Sequence, residues 1–355
     1  MKTISYQVRF SSIMFFALCF PLIAAIPTTT HTIEPAVTNV IYQSNDGGQT
    51  WQDISQSLPE KEQPEDFFAG ESDLYMRVKN VMYRSKSNLK TPVWEKENSF
   101  EQRNASIAFN RSGVTAFNYE GQVYQKKSPT GNWLPVYTHF RKYTMRTIFE
   151  AADGTVFLGS DHGLFKSADK GKNWKQVQQG GWVMDIVEAD GVLVATSQGG
   201  IIRSTDKGEH WESVISEGGV GIAIERIDGG FAAISFNTKT QSRRIRISLD
   251  HGKTWQAIDE QLAPSMNISS IKQVGKYLVV GHPDGIFRSA DLGKTWNMVH
   301  PSVEKIEFKS GNAWKMADFS GGITGNVVEP MDDRKVFKIY VSGPVLYAVA
   351  RNGGC

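Results

Sequence analysis

Short runs of Val, Ile, Phe and Tyr recur along the chain, and Gly or Asp closes almost every run. The runs come in groups of four, for example RTIFEA, TVFLGS, GLFKS and WKQVQ. Runs of this length and composition predict β-strands, and we find no convincing helical period within them. The pattern therefore predicts an all-β chain built from four-stranded units.

A tight polar turn ending in tryptophan separates the third and fourth strands of each unit. The pattern S-x-D-x-G-x-(T/N/H)-W occurs five times, and we call these segments the repeat turns: residues 44–51, 167–174, 204–211, 248–255 and 289–296. Two degenerate copies end at Trp94 and Trp133. The seven tryptophans recur about every 40 residues, a period typical of solenoids, propellers and arrays.

The residue types of the repeat turns suit a hairpin that is anchored to a core. An Asp side chain can accept hydrogen bonds from backbone N–H groups two residues further on, and Gly adopts backbone angles that other residues resist. The tryptophan can then lie flat between neighbouring sheets. These structural roles are assigned to Asp46, Gly48, Trp51, Asp169, Gly171, Trp174, Asp206, Gly208, Trp211, Asp250, Gly252, Trp255, Asp291, Gly293 and Trp296.

The two ends of the chain complement each other. The first unit begins at its third strand, NVIYQS, and the chain finishes with two strands left over, at residues 336–342 and 345–353. Pairing these strands would close the ring and remove an exposed sheet edge. The sequence predicts a seven-bladed β-propeller of four-stranded antiparallel blades over residues 37–355, closed by N- and C-terminal strands in one blade.

The N-terminus resembles an export signal. Lys2 and Arg9 precede an apolar run at residues 13–26, which Pro21 interrupts and which is shorter than a spanning helix requires. We expect residues 1–25 to be a cleaved signal peptide, residues 26–36 a short linker, and the protein to be secreted or periplasmic without a membrane span. A retained N-terminal anchor is the alternative.

The charge balance and the cysteine content limit the classes of partner and of covalent link that the chain can have. The chain has 39 Lys and Arg against 37 Asp and Glu, so loss of Lys2 and Arg9 with the signal peptide makes the balance even. Such neutrality argues against a nucleic-acid partner. Removal of Cys19 leaves Cys355 alone, which excludes an internal disulfide. The seven histidines are scattered without metal-ligand spacing, so we expect no metal. We also expect no cofactor, and we expect the chain to be a monomer.

The repeat turns resemble the Asp-box, or BNR repeat, and the chain is similar to the Asp-box β-propeller superfamily from about residue 40 to residue 353. That superfamily includes sialidases, xyloglucan-cleaving glycosidases, sortilin-type receptors and photosystem II assembly-factor-like proteins. In it, the Asp-box is structural and lies away from the ligand face. The resemblance therefore implies a fold more strongly than a function.

A sialidase would carry an F/Y-R-I-P motif, three arginines for the sugar carboxylate, a Tyr paired with a Glu, and an Asp acid/base. No F/Y-R-I-P motif is present, and the only Ile-Pro pair is Ile26–Pro27. Arg103, Arg146 and Arg244 could form the arginine triad, but no motif matches them. A glycoside hydrolase with a diverged site is thus the alternative to a binding protein.

The face opposite the repeat turns is the predicted ligand face. It is formed by the loops between blades and by the turns between second and third strands, and we call it the loop face. Its candidate residues are Arg103, Arg141, Arg146, Trp182, Asp185 and Arg244. A basic and aromatic cluster suits an acidic peptide or an anionic sugar, whereas scattered solvated charge is the alternative.

Asp185 differs from the other acids because it falls in an inner strand, where it could be functional or could pair with Arg146 or Lys305. Asp161 and Asp284 are interpreted as turn formers. An insertion at residues 309–335 could cap one face or serve as a partner epitope. Together these features predict an exported, non-catalytic binding or scaffold propeller that recognises a protein or glycan partner.

Overall fold

Seven four-stranded antiparallel sheets follow one another along the chain, so the predicted seven-bladed, all-β propeller is confirmed. The structure is a computed structural model that describes residues 39–97, 104–128, 131–136, 140, 143–303 and 335–352. The predicted signal peptide and linker, and all but Lys335 of the insertion, lie outside these residues. No helix within these ranges has the length and apolar character needed to span a membrane.

The 28 described strands are short, and two 3-10 turns, η1 (Ser55–Ser57) and η2 (Pro59–Lys61), follow the second. In chain order the strands are β1 (Ile41–Ser44), β2 (Gln52–Asp53), β3 (Asp66–Ala69), β4 (Asp73–Val78), β5 (Val81–Lys86), β6 (Glu95–Lys96), β7 (Ala105–Asn110), β8 (Gly113–Asn118), β9 (Val123–Lys126), β10 (Leu134–Val136), β11 (Met145–Glu150), β12 (Val156–Ser160), β13 (Gly163–Ser167), β14 (Lys175–Gln179), β15 (Ile186–Ala189), β16 (Val192–Ser197), β17 (Gly200–Ser204), β18 (Glu212–Ile215), β19 (Gly218–Ile227), β20 (Gly230–Asn237), β21 (Ser242–Ser248), β22 (Gln256–Ala257), β23 (Ser270–Val274), β24 (Tyr277–His282), β25 (Gly285–Ser289), β26 (Asn297–Pro301), β27 (Lys335–Ser342) and β28 (Val345–Asn352).

Blade 1 contains both ends of the chain, in the order β27, β28, β1, β2 from the axis outward. The C-terminal strand β28 pairs with β27 through Ile339 and Ala348, and with β1 through Tyr42 and Ala348. Blades 2 to 7 each take the next four strands, beginning with β3. Every inner strand contacts the inner strand of the next blade, and β27 contacts β3. The predicted ring closure is therefore confirmed.

Each blade packs its two faces against the neighbouring blades, which buries the middle strands almost completely. All six residues of β4 and of β16 are buried. The layer between blades 6 and 7, for example, joins Ile245, Ile271, Leu278 and Val280 in one apolar cluster. Such continuous burial is expected for strands covered on both faces, and it supplies most of the stabilisation of the ring.

The five repeat turns share one hydrogen-bonding scheme. In blade 5, the Ser204 hydroxyl donates to Oδ1 of Asp206 at 2.8 Å and accepts the Gly208 N–H at 2.9 Å. Asp206 accepts the N–H groups of Glu209 and His210 at 3.1 and 3.0 Å, three and four residues further on rather than the two expected from the sequence. Lys207 and Gly208 both have left-handed φ angles, 59° and 78°, and this reversal brings the later N–H groups to the carboxylate.

The tryptophan that ends each repeat turn is anchored at both its ring and its indole N–H. In the turns ending at Trp51, Trp174, Trp211 and Trp255, the indole N–H donates to the carbonyl of the turn glycine at 2.9–3.2 Å. Trp296 instead donates to the Ile258 carbonyl at 2.6 Å. The ring of Trp211 meets Phe157 of the preceding blade edge-on, at 87°, so the tryptophan does not lie flat on that neighbour.

Candidate ligand-binding site

The structure divides the predicted loop-face residues into three groups. Arg146 lies on β11 of blade 4, and Trp182 and Asp185 lie in the segment that leads into β15 of the adjacent blade 5. Arg244 of β21 forms a two-bond ion pair with Asp259, at 2.8 and 3.0 Å. The bonds to Asp259 raise the pKa of Arg244 although burial opposes this. The guanidinium stays protonated, and its positive charge is already balanced by the Asp259 carboxylate. Arg103 and Arg141 lie outside the described residues.

Arg146 is held between two aromatic rings, and we call Tyr119, Arg146 and Trp182 the arginine–aromatic cluster. The guanidinium carbon lies 5.4 Å from the ring centroid of Tyr119 and 5.5 Å from that of Trp182. Tyr119 comes from the turn between β8 and β9, and Trp182 precedes β15. Three consecutive blades thus contribute to one cation–π arrangement on the loop face.

A β-bulge brings Arg146 to this position. The pairing of β11 with β12 shifts register between Met145 and Thr147, which leaves Arg146 without a direct partner on β12. An extra residue in one strand redirects its side chain and terminates regular pairing, and such bulges are frequent next to functional sites. The backbone just before β11 is also held in place on the loop face. There the Thr144 N–H donates to Asp161, in the turn between β12 and β13, at 3.1 Å.

Two donors of the arginine–aromatic cluster are buried but make no hydrogen bond to any described residue. They are Nε of Arg146 and Nε1 of Trp182. A buried donor without an acceptor costs roughly 1–3 kcal/mol, which an acceptor on a ligand would offset. Tyr119 is 48% exposed, so the cluster is open to solvent on one side. The arrangement is therefore suited to bind a planar anion such as a carboxylate.

A second group of charges lies at the axis of the propeller, and we call Asp185, Glu225, Lys272 and Lys338 the axial cluster. Lys272 Nζ donates to Glu225 Oε2 at 2.5 Å. Asp185 interacts electrostatically with Lys272, Glu225 and Lys338, which come from the inner strands of blades 7, 6 and 1. Because side chains of these separate blades can meet only along the axis, the cluster lines the central channel.

The axial cluster changes the proton affinity of Asp185. Burial raises the pKa of Asp185 to about 6, and the nearby Glu225 carboxylate adds to the shift, while Lys272, the Ile186 N–H and Lys338 oppose it. Burial lowers the pKa of Lys272, but Glu225 and Asp185 outweigh this and raise it overall. Asp185 therefore exchanges its proton near neutral pH beside a lysine that stays charged.

Neither partner suggested by the sequence for Asp185 is seen with it. No hydrogen bond or ion pair joins the described residues Arg146 and Asp185, and Lys305 lies outside the described residues. In blade 1, Lys338 occupies the position that Asp185 has in blade 5, since each precedes an inner-strand isoleucine paired with an alanine. Aligning the inner strands on their hairpins is the signal that could have identified Lys338 from the sequence.

The sequence did not indicate the other members of the two clusters. Tyr119, Glu225 and Lys272 fall within ordinary strand and turn patterns, and only the closed ring brings them together. Within the described ranges, no group of His, Cys, Asp and Glu residues is arranged to hold a metal ion. The described residues therefore provide a guanidinium beside two aromatic rings on the loop face and a titratable carboxyl group in the axial cluster.

No known protein family matches the chain, and no curated protein matches it in sequence. Solved structures do resemble it. A xyloglucanase of family GH74 from Xanthomonas campestris is 14% identical over 77% of this chain and 55% of its own, with a TM-score of 0.55. Virginiamycin B lyase from Staphylococcus aureus, in a catalytically inactive form with quinupristin, is 13% identical over 67% of this chain and 84% of its own, with a TM-score of 0.54.

YCF48 from Cyanidioschyzon merolae is 16% identical over 68% of this chain and 85% of its own, with a TM-score of 0.49. The chain spans only about half the length of the xyloglucanase. At identities this low, the xyloglucanase and the lyase show that the chain has the β-propeller fold, and the function has to be argued from the site.

Proposed function

We propose that the chain is an exported, non-catalytic binding propeller whose loop face recognises a carboxylate group on a protein or glycan partner. The observation that carries this proposal is the pair of buried donors, Arg146 Nε and Trp182 Nε1, which have no acceptor among the described residues. A guanidinium fixed between two rings loses little side-chain entropy when it binds, and a charge-assisted bond to it is strong. The five repeat turns would act as Asp-boxes that stiffen the opposite face.

The proposed export rests on Lys2, Arg9 and the apolar run at residues 13–26. It is tested by expressing the full chain with its own N-terminus and measuring the mass of the secreted or periplasmic product. A mass corresponding to cleavage near Ala25 would support a signal peptide. An uncleaved chain in the membrane fraction would support the retained anchor instead.

The binding proposal is tested by titrating residues 26–355 with two anionic probes, a hexaglutamate peptide and an oligogalacturonate. We expect Arg146→Ala to weaken binding of the preferred probe by tenfold or more, because one charge-assisted bond contributes roughly 1.5–3 kcal/mol. Trp182→Phe retains the ring but removes the Nε1 donor, so it should cause a smaller loss. Arg111→Ala is the matched control, since it removes an exposed arginine from the hairpin between β7 and β8 on the opposite face.

Equal binding by Arg146→Ala and the unsubstituted chain would contradict the proposal. Loss of binding in Arg111→Ala as well would mean that net charge, rather than the arginine–aromatic cluster, attracts the probes. Melting curves of the three variants separate a binding defect from an unfolded protein. Weak binding of both probes by every form, including the unsubstituted chain, would also contradict recognition of a carboxylate.

A second candidate function is glycoside hydrolysis, and one observation favours it. The pKa of Asp185 is raised to about 6 beside the Glu225 carboxylate, and carboxyl groups with different proton affinities serve as acid and base in glycosidases. Against a sialidase-like site, Arg244 is engaged by Asp259 and is therefore not free to join Arg146. Turnover of a fluorogenic sialoside or glycoside that both Asp185→Ala and Arg146→Ala abolish would establish an active site in place of a binding site.

A further inference from the structure

On the repeat-turn side of the propeller, neighbouring blades are joined by a recurring hydrogen bond. The inner-strand residue two positions before the turn that joins the first and second strands accepts a backbone N–H from the hairpin of the preceding blade. This bond is made in blades 4, 5 and 7, by Glu150 to Ser112 at 2.8 Å, by Glu188 to Ala152 at 2.6 Å and by Gln273 to Asp228 at 2.6 Å.

Blade 6 has a donor where these blades have an acceptor. The residue at this position of blade 6 is Arg226, which is exposed. Apolar side chains occupy the position in the other three blades, namely Ala69, Phe109 and Val341. The hairpin residue of the preceding blade that corresponds to Asp228 is Asp190, and its N–H makes no hydrogen bond to a described residue.

A cavity of about 300 Å³ opens beside the blade 6 hairpin, between residues of blades 5, 6 and 7. Arg226, Asp190, Asp228 and Gln273 line it, together with the glycines of the blade 6 hairpin. Arg226 forms no ion pair with any described residue, although two carboxylates share its cavity. Gln273 Nε2 donates to the Asp228 carboxylate at 3.3 Å, whereas the Asp190 carboxylate has no such partner in the described ranges.

We propose that this cavity, independent of the loop-face site, binds a free α-amino acid. The carboxylate of the ligand takes the place of the Glu150 and Glu188 side chains, accepting the Asp190 N–H and pairing with Arg226. A simple anion does not fit, because the Asp190 and Asp228 carboxylates would repel it. An ammonium group beside the ligand carboxylate turns that repulsion into attraction, and an α-amino acid carries both groups on one carbon atom.

The test uses residues 26–355 labelled with ¹⁵N and three probes: L-alanine, N-acetyl-L-alanine and L-alaninamide. L-alanine should shift the Asp190 amide signal and the Arg226 Nε–Hε signal in a saturable way at millimolar concentration. The acetylated probe lacks the ammonium group and the amide probe lacks the carboxylate, so each should bind at least tenfold more weakly. No shift with L-alanine, or an equal shift with either derivative, would overturn the proposal.

Two variants keep the test specific. Arg226→Gln should abolish the L-alanine response while the other amide signals stay in place, and Arg111→Gln, a hairpin arginine of blade 3, should respond like the unsubstituted chain. Arg226→Glu restores the acceptor that blades 4 and 5 possess. It should slow hydrogen exchange of the Asp190 amide and prevent L-alanine binding. Binding that persists in Arg226→Glu would place the ligand elsewhere and overturn the proposal.

Discussion

Arg203 of blade 5 donates a 2.6 Å hydrogen bond from Nε to the carbonyl oxygen of His251, a left-handed residue in the repeat turn of blade 6. The same link recurs two junctions later, where Arg288 of blade 7 donates to the Gly47 carbonyl of blade 1 at 2.8 Å. In both cases the cation is the last residue before a repeat-turn serine. The repeat turns of blades 6 and 1 therefore stabilise not only the hairpin of their own blade but also its contact with the preceding blade.

The junction of blades 3 and 4 lacks this link. Gln125 stands at the position of Arg203 and donates to Ser112 of its own blade at 3.1 Å. A small cavity of about 80 Å³ lies there between Thr115, Gln125 and Trp174. Because blade 3 has Gln125 in place of an arginine, the repeat turn of blade 4 receives no hydrogen bond from this position of the preceding blade.

Arg203→Gln should lower the free energy of unfolding by roughly 1–2 kcal/mol, because it removes the bond to the His251 carbonyl. It also removes an ion pair with Glu212, whose side chain is 63% exposed and which therefore contributes little. Gln125→Ala is the matched control at the equivalent position of blade 3, and it should change the free energy of unfolding by less than about 0.5 kcal/mol. Equilibrium denaturation of both variants measures the difference. Equal effects of the two substitutions would show that the link between blades contributes nothing.

Gly208→Ala should destabilise the protein more than Gly171→Ala. Both glycines have left-handed φ angles, 78° and 86°, so the backbone strain of the two substitutions is matched. A Cβ at position 208 would lie 2.4 Å from the Phe157 ring, whereas a Cβ at position 171 meets only Trp174, at 3.4 Å. Overpacking of this kind typically costs 1–3 kcal/mol, and the difference between the two melting temperatures measures it. Indistinguishable variants would contradict the packing role of Gly208.

The repeat turns should weaken in acid. Burial opposes ionisation of Asp46, but hydrogen bonds from Thr50, Ser44 and Gln49 outweigh it and lower the pKa of Asp46 to about 2. Since this pKa is depressed in the folded state, the stabilisation is complete above about pH 4 and is lost as the pH falls through 2. Asp46→Asn should therefore melt below the unsubstituted chain at pH 6, and the two melting temperatures should converge near pH 2. If the difference between the two melting temperatures did not change with pH, the ionised Asp46 carboxylate would not be the source of the stabilisation.

Asp185 should have the opposite pH dependence. Its pKa of about 6 lies above that of the unfolded chain, so the folded state retains a proton between about pH 4 and pH 6 and loses stability as the pH rises through this window. Asp185→Asn removes the penalty and should raise the free energy of unfolding at pH 7 by on the order of 2 kcal/mol. It should have little effect at pH 4. Thermal denaturation across this range tests the prediction, and a destabilised Asp185→Asn at pH 7 would contradict it.

The same pKa reports on the axial cluster. Glu225→Gln removes a negative charge that raises the pKa of Asp185, so the carboxyl ¹³C titration of Asp185 should move to lower pH in this variant. An unchanged titration midpoint would mean that Glu225 is too well screened to influence Asp185.

The sequence alone determined the architecture, because the repeat depends on interactions between residues that are close together in the chain. Short runs of Val, Ile, Phe and Tyr bounded by Gly and Asp, a turn with fixed Ser, Asp and Gly positions, and a tryptophan about every 40 residues each act through neighbours in the chain. Even ring closure was predictable, since NVIYQS lacks the partners that the C-terminal strands supply. The sequence also indicated Arg146, Trp182 and Asp185, but only as charged or aromatic residues on the expected loops and inner strand.

Only the tertiary structure decided which of those residues meet. Arg244 looked equivalent to Arg146, but Asp259 engages it within its own blade. Arg146 reaches Tyr119 and Trp182 because a bulge in β11 redirects it. Asp185 owes its raised pKa to burial and to Glu225 of the next blade, against the opposing effect of Lys272 and Lys338, which lie far away in sequence. Contacts across the axis depend on how seven sheets close into a ring, and no local pattern encodes them.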